Sequence, residues 1–286
     1  MKVIVQKSNA KINIGLNVIN KRMDGYHNLE MIMAPISLSD ILEITFTSEN
    51  GKLEIKCNKE EIPTDKRNII YKIYDAFYNF TKKERKNIKV NLIKNIPLEA
   101  GLGGGSSNGA FFLKALNKYY NNILNEDEMI LLSKNIGADI PFFVRNRIAK
   151  VEGIGEKIKE IPNNLQCEII LIKPNFGITA KEGYDCFGKY GNYKKANIKE
   201  IEYGLKNNDL KKVRKNIENN LQEALLQDNK KLIEFQKRLE KIENIEFFMS
   251  GSGSTYYGLL EKNSEKILKE IKEKFTDCFI SLNNLL

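Results

Sequence analysis

The sequence predicts an α+β protein in two domains, an N-terminal mixed α/β domain over residues 1–155 and a C-terminal split βαβ domain over residues 156–286. Three observations predict it. Apolar residues occupy every second position of Ala10–Val18, the period of a strand. A run of four glycines, Gly101 and Gly103–Gly105, joins a strand pattern to a helical one. In the second half, once adjacent helices are merged, the order reads β-α-β-β-α-β, the arrangement of ferredoxin-like folds. A chain of 286 residues accommodates two domains at roughly 100–200 residues each.

In chain order, Ile12, Ile14, Leu16 and Val18 share one face of the first strand, and Lys11, Asn13 and Asn17 share the other. Further strands fit Ile41–Phe46, Lys52–Lys56 and Ile88–Ile93. Between them, Asn68–Phe80 carries Ile69, Ile73, Ala76, Phe77 and Phe80 at helical spacing. Helical patterns follow the glycines, from about Gly109 to Tyr120 and from Glu126 to Asn135. The segment Gly137–Phe143 breaks the pattern. In the second half, strands are expected at Glu168–Ile172, Glu246–Met249, Thr255–Leu260 and Cys278–Ser281. Helices are expected at Ile198–Lys206, Leu210–Leu221, Asn229–Ile242 and Ser264–Phe275.

Composition excludes several classes. Lys and Arg number 46 against 37 Asp and Glu, a net charge of +9, which suits anionic partners. The lysines are interleaved with glutamates, as in Lys82–Lys86, so the charge reads as a solvated surface and not as a nucleic-acid patch. No apolar run approaches the ~18 residues of a membrane span. The cysteines, Cys57, Cys167, Cys186 and Cys278, form no C-x-x-C pair and none neighbours the single histidine at ligand spacing, so no metal site is expected. Free thiols and the lack of a secretory h-region point to a reducing, cytoplasmic setting.

The glycine loop is the strongest chemical signal. Glycines let backbone N–H groups approach a ligand closely. Ser106 and Ser107 then open a helix whose first amides are unpaired and whose dipole favours an anion, a ready phosphate site. Walker A is excluded because no lysine follows, the Rossmann fingerprint because Ser106 stands where glycine is required, and the protein-kinase set because H-R-D and D-F-G are missing. Ser250-Gly251-Ser252-Gly253-Ser254 is either a hairpin turn or a second donor of backbone amides. Lys11 shares its face with Asn13, so both can reach a cleft. Asp139, among Ala138, Ile140, Phe142 and Phe143, reads as a partly buried carboxylate that needs a partner. His27 sits in the turn Asp24-Gly25-Tyr26-His27 and belongs to no Ser-His-Asp set.

Together these segments resemble the GHMP kinase family of small-molecule kinases. The resemblance rests on Ala10-Lys11-Ile12-Asn13, Pro97–Ser107 and Ser250–Ser254, in that order. Arg22-Met-Asp-Gly-Tyr-His27 and Gly137-Ala-Asp-Ile-Pro-Phe-Phe143 bring it nearest to members that phosphorylate 4-diphosphocytidyl-2-C-methyl-D-erythritol in the non-mevalonate route to isoprenoid precursors. The resemblance implies a two-domain GHMP kinase architecture and transfer of the ATP γ-phosphoryl group to the 2-hydroxyl, giving the 2-phosphate and ADP. It implies an ATP loop of Pro97, Leu98, Glu99, Ala100, Gly101, Leu102, Gly103, Gly104, Gly105, Ser106 and Ser107. Lys11 and Asp139 map to the catalytic pair, Tyr26 and His27 to the grip on cytosine, Tyr184 to the opposing aromatic, and Asn13 to the erythritol contact. Mg²⁺ arrives with ATP. The partner is a small molecule, and the chain is a monomer or homodimer. The adenine pocket is expected around Asn58 to Lys94. One departure is Glu99-Ala100, where smaller residues are common. Rival readings are a GHMP kinase for homoserine, mevalonate or a sugar, a basic RNA-binding protein, and a silent metabolite sensor.

Overall fold

The alternation at Ala10–Val18 lies inside a long strand, β1 (Lys2–Lys21), which turns at Arg22–Tyr26 and pairs with β2 (His27–Asn50). The computed structural model describes residues 1–189, 193–262 and 264–286. These form two contact units, each drawn from three segments. The first comprises Met1–Ala10, Leu38–Ile96 and Gly103–Asn146; the second comprises Lys11–Ser37, Pro97–Leu102 and Arg147–Leu286. The sequence places a single boundary near residue 155. The contact units are discontinuous in sequence, and β1 and β2, at 20 and 24 residues, each contribute to both.

In the first unit, β3 (Leu53–Cys57) is followed by α1 (Ile69–Thr81) and β4 (Lys86–Ile93). β3 runs parallel to β4, and β4 runs antiparallel to Ile41–Thr47 of β2, with Ile44 opposite Val90. Asn68 caps α1, its Oδ1 accepting from Ile70 N at 2.9 Å. α2 (Gly104–Tyr119) begins five residues before its apolar pattern does, since glycines and serines carry no periodicity to read. α3 (Glu126–Ser133) opens with an Asn125–Glu128 capping box. α4 (Ile140–Arg145), a single turn and a half, was not expected from the sequence. Leu42, Ile44 and Phe46 of β2, Ile73 and Phe77 of α1, and Phe112 and Leu116 of α2 are buried.

In the second unit, β5 (Ala149–Gly153) pairs antiparallel with Leu29–Met33 of β2 and with β6 (Lys157–Glu160). Both are too short and too charged to stand out as strands in the sequence. Then come β7 (Glu168–Lys173), α5 (Ala180–Phe187), α6 (Ile198–Lys206), α7 (Leu210–Lys215), α8 (Asn220–Asp228), α9 (Lys230–Leu239), β8 (Phe248–Met249), β9 (Tyr256–Leu260), α10 (Glu265–Lys274) and β10 (Phe279–Asn284). The sheet order is β10-β7-β9-β8, with every neighbouring pair antiparallel. This is the split βαβ arrangement read from the element order. Ile170, Ile172, Met249 and Tyr256 meet Leu225, Leu232, Phe235 and Ile271 in its core.

The helix expected over Leu210–Leu221 ends as α7 at Lys215, and a separate helix, α8, not expected from the sequence, spans Asn220–Asp228. The Asn216 amide closes α7 on Lys212 O, and Asn219 caps α8. On β1, residues 11–18 are buried on both faces, Lys11, Asn13 and Asn17 as well as the apolar set. Asn17 is satisfied there by the Ala196 backbone at 2.8 and 3.0 Å.

Candidate active site

The second unit gathers Lys11, Asn13, the start of the glycine loop and the Ser250–Ser254 turn. Lys11, 5% exposed, donates from Nζ to Asn13 Oδ1 at 2.6 Å, and its backbone N–H donates to Leu102 O at 3.0 Å. Asn13 Nδ2 in turn donates to Met31 Sδ at 3.1 Å, and Asn13 O accepts from Tyr257 OH at 2.8 Å. This pairing helps to fix the ammonium's position.

The two glycine-rich segments interlock. Ser250 Oγ donates to Gly101 O at 3.0 Å and accepts from Asn13 N at 3.3 Å. Ser254 N donates to Glu99 O and Thr255 N donates to Ala100 O, both at 3.4 Å. Gly101 has φ +70°, and a Cβ on it would stand 2.0 Å from Ser250 O. Only glycine fits there, for both conformation and space. Glu99, the residue that departs from the family pattern, also has positive φ, +48°. Its carboxylate covers Gly177, where a Cβ would lie 2.3 Å from Oε2. Lys173 is buried nearby and donates from Nζ to Pro174 O and Phe176 O at 2.9 Å. Burial pushes its pKa down, and the charge of Glu99 opposes that.

The expected cytosine residues also belong to this unit. Asp24 organises their turn: it accepts from Arg22 Nε at 3.0 and 3.1 Å and from Tyr26 N at 3.1 Å. The Arg22 hydrogen bond holds the Asp24 carboxyl below the usual carboxylate range. Tyr26 is 62% exposed. His27 stacks on Tyr184 of α5, ring centroids 4.9 Å apart and planes 11° apart, with Phe187 edge-on at 6.0 Å. Burial, and then the charge of Lys21, push the His27 pKa down, so the imidazole is neutral at pH 7 and offers one donor and one acceptor.

The first unit holds Gly103–Ser107 and Asp139. Gly103, at φ +70°, is the N-cap of α2 and accepts from Ser107 N at 2.9 Å, while Ser107 Oγ donates to Asn9 O at 2.6 Å. The amides of Gly104, Gly105 and Ser106 open the helix, where anions are favoured. Asp139 is half-buried at the start of α4, and its carbonyl accepts from Phe143 N at 3.2 Å.

Sequence reasoning missed a buried network beneath the start of α2. Asp40 Oδ2 accepts from Lys94 Nζ and, at 2.8 Å, from Asn108 Nδ2; Asp40 Oδ1 accepts from Asn95 N and Ile96 N at 2.8 Å. Asn108 also donates to Ser8 Oγ at 2.7 Å. The Lys94 and Asp40 side chains are 4% and 0% exposed. A Cβ on Gly104 would stand 3.1 Å from Lys94 Nζ, so the network sets the floor on which the helix begins. Asp40→Ala strands a buried ammonium and two amides, and should cost about 3–5 kcal/mol of stability in a urea titration. A shift below 1 kcal/mol would show that the network carries no such load. Asn58, the other edge of the expected adenine region, accepts from Lys94 N at 2.7 Å. No signal in a single sequence ties these residues together. Among the described residues, no three His, Cys, Asp or Glu side chains gather as metal ligands.

Comparison with known proteins follows the same segments. The profile described as GHMP kinases N terminal domain matches residues 68–147, and that described as GHMP kinases C terminal matches residues 201–277. The chain is 46% identical over 272 residues to 4-diphosphocytidyl-2-C-methyl-D-erythritol kinase of Fusobacterium nucleatum, covering 94% of this chain and 92% of that one. It is 36% identical to the protein of the same name in Clostridium beijerinckii, covering 96% and 98%. Among solved structures, a 4-(cytidine 5'-diphospho)-2C-methyl-D-erythritol kinase superposes with a TM-score of 0.80 at 26% identity, covering 99% of both chains. The homoserine kinase of Cytophaga hutchinsonii has a TM-score of 0.78 at 14% identity, a likeness of fold alone. With both of the family's profiles matched in order and its relatives aligned nearly end to end, the chain belongs to the GHMP kinase family.

Proposed function

We propose that this kinase transfers the γ-phosphoryl group of ATP to the 2-hydroxyl of 4-diphosphocytidyl-2-C-methyl-D-erythritol, releasing ADP and the 2-phosphate in the non-mevalonate route to isoprenoid precursors. The observation that carries the choice of substrate is the His27–Tyr184 stack. It brings the D-G-Y-H turn and α5 into one aromatic pair, an arrangement that an acceptor without a base does not need. The relatives' names point to the same substrate.

Phosphoryl transfer asks chiefly for alignment and for neutralisation of charge on the moving group. The amides of the Pro97–Ser107 loop hold the phosphates. Lys11 supplies a fixed positive charge to the transferring oxygens, steadied by Asn13, which also meets the erythritol. Asp139 orients the acceptor hydroxyl and takes its proton. Magnesium enters with ATP as part of the substrate. The adenine lies toward Asn58 and Lys94. Tyr184 and Tyr26 take the two faces of the cytosine, and His27 leaves the face of Tyr184 to read the base edge. No helix among the described residues is long and apolar enough to cross a membrane, and the four cysteines are unpaired, in keeping with a cytoplasmic enzyme, monomeric or homodimeric.

A coupled ADP-release assay with ATP, Mg²⁺ and the cytidine substrate, run beside homoserine and mevalonate, tests the reading. Turnover with the cytidine substrate alone is expected. Activity only on another alcohol would keep the ATP loop and discard the roles of Tyr26, His27 and Tyr184. Base stacking is worth roughly 1–3 kcal/mol, so Tyr26→Ala should raise KM for the cytidine substrate by about 5- to 150-fold and leave KM for ATP alone. Equal effects on both would contradict a base site there.

A further inference from the structure

We infer that Asn219 is a positioning residue for phosphoryl transfer: it fixes the second glycine-rich turn and, through Gly251, the placement of Lys11 and Asn13. The inference rests on the catalytic reading of Lys11. Asn219 is buried and uses its whole side chain. Its Nδ2 donates to Met249 O at 2.8 Å and to Gly251 O at 2.9 Å. Its Oδ1 accepts from Leu221 N at 3.0 Å and from Gln222 N at 3.3 Å, capping α8. A carboxamide has two N–H donors and two acceptor lone pairs, and all four are spent here. The backbone beside it is tied to β1, where Leu16 N donates to Glu218 O at 2.8 Å and Leu16 forms a parallel bridge with Asn219.

Capping a helix needs only the oxygen. The two amide hydrogens do something else: they hold two carbonyls of the turn. A trans peptide points its C=O and the following N–H in opposite directions, so fixing Gly251 O toward Asn219 aims the Ser252 N–H away from it. Gly251 also lies beside the Lys11–Asn13 pair. It has φ +58°, and a Cβ on it would stand 3.2 Å from Asn13 Oδ1, 3.4 Å from Gly101 O and 3.5 Å from Lys11 Nζ. Moving Gly251 therefore alters the space beside the Lys11 ammonium and Asn13.

Asn219→Asp separates the two jobs. Aspartate caps a helix as well as asparagine does, but it has no N–H to give Met249 O and Gly251 O. The variant sets a carboxylate oxygen against two buried carbonyls and should melt lower than the wild type, so kcat is compared at a temperature where both are folded. Its kcat should fall on the order of tenfold to a hundredfold, with KM for ATP and for the alcohol changing less than kcat. Amide hydrogen exchange across residues 250–254 should quicken. Asn219→Ser, which caps but cannot span both carbonyls, should behave alike and serves if the aspartate variant folds poorly. Asn229→Ala removes the cap of α9 (Oδ1 to Leu232 N, 3.0 Å); it should lower the melting temperature without changing kcat. Unchanged exchange at 250–254, or wild-type kcat in a folded Asn219→Asp enzyme, would overturn the inference. The exchange readout needs no substrate, and turnover can be followed with whichever alcohol the wild type accepts. A wrong substrate and a wrong role for Asn219 therefore give different results.

Discussion

Asp139→Asn should lower kcat by roughly 10²–10⁴-fold, the usual worth of a positioned general base. Asparagine keeps the shape of the side chain and removes the charge and the basic lone pair. Asp139 is half-buried at the start of a six-residue helix, so the variant's fold is checked by its melting temperature beside its turnover. Turnover should collapse, and KM for ATP should stay near the wild-type value because Pro97–Ser107, the proposed nucleotide loop, is unaltered. The measurement is steady-state ADP release with ATP and acceptor varied separately. A loss under threefold would remove Asp139 from the proton's path.

Gly101→Ala should be nearly as damaging by a different route. The added methyl would stand 2.0 Å from Ser250 O and 3.1 Å from Gly253 N, both backbone atoms that cannot swing aside. The αL conformation adds about 1–2 kcal/mol for any residue with a Cβ. The two glycine-rich segments must part, which breaks the Ser250 Oγ–Gly101 O bond and releases Leu102 O, the partner of Lys11 N. A displacement of about 1 Å can cost on the order of a hundredfold in rate. A fall in kcat/KM of at least that size is expected, with a lower melting temperature. An alanine enzyme with wild-type kinetics would mean that the interlock is not rigid.

Much of this was legible in the sequence, and the boundary of legibility has physical causes. Period-2 alternation marked β1, because apolar residues there had to face one interior. It did not reveal that Lys11, Asn13 and Asn17 are buried too, since their partners, such as the Ala196 backbone, lie far along the chain. Four glycines in five positions marked the loop to which phosphate binding is assigned in the proposal. They could not show that Gly101 is required by Ser250, or that Gly104 sits tightly against Ile96 and Lys94. The order of strands and helices gave the split βαβ half, while β5, β6 and α4 were too short to carry a period. α5, which bears Tyr184, had a readable start: Thr179 and Glu182 form a capping box. The Asp40–Lys94–Asn108–Ser8 network and the grip of Asn219 have no local signature. Each is a set of polar side chains whose pairing exists only after the chain has folded.

The interleaving of the two contact units bears on how the chain emerges during synthesis. All of the first unit's segments precede Arg147, so that unit can close while translation continues. The second unit's earliest segment, Lys11–Ser37, carries Ile12, Ile14, Leu16 and Val18, yet its partners extend to Leu286. At roughly 5–20 residues per second, this apolar ribbon waits on the order of ten seconds for its core. A nascent chain stalled just after Asn146 would therefore present one finished body and one sticky strand, the kind of surface that holdase chaperones bind.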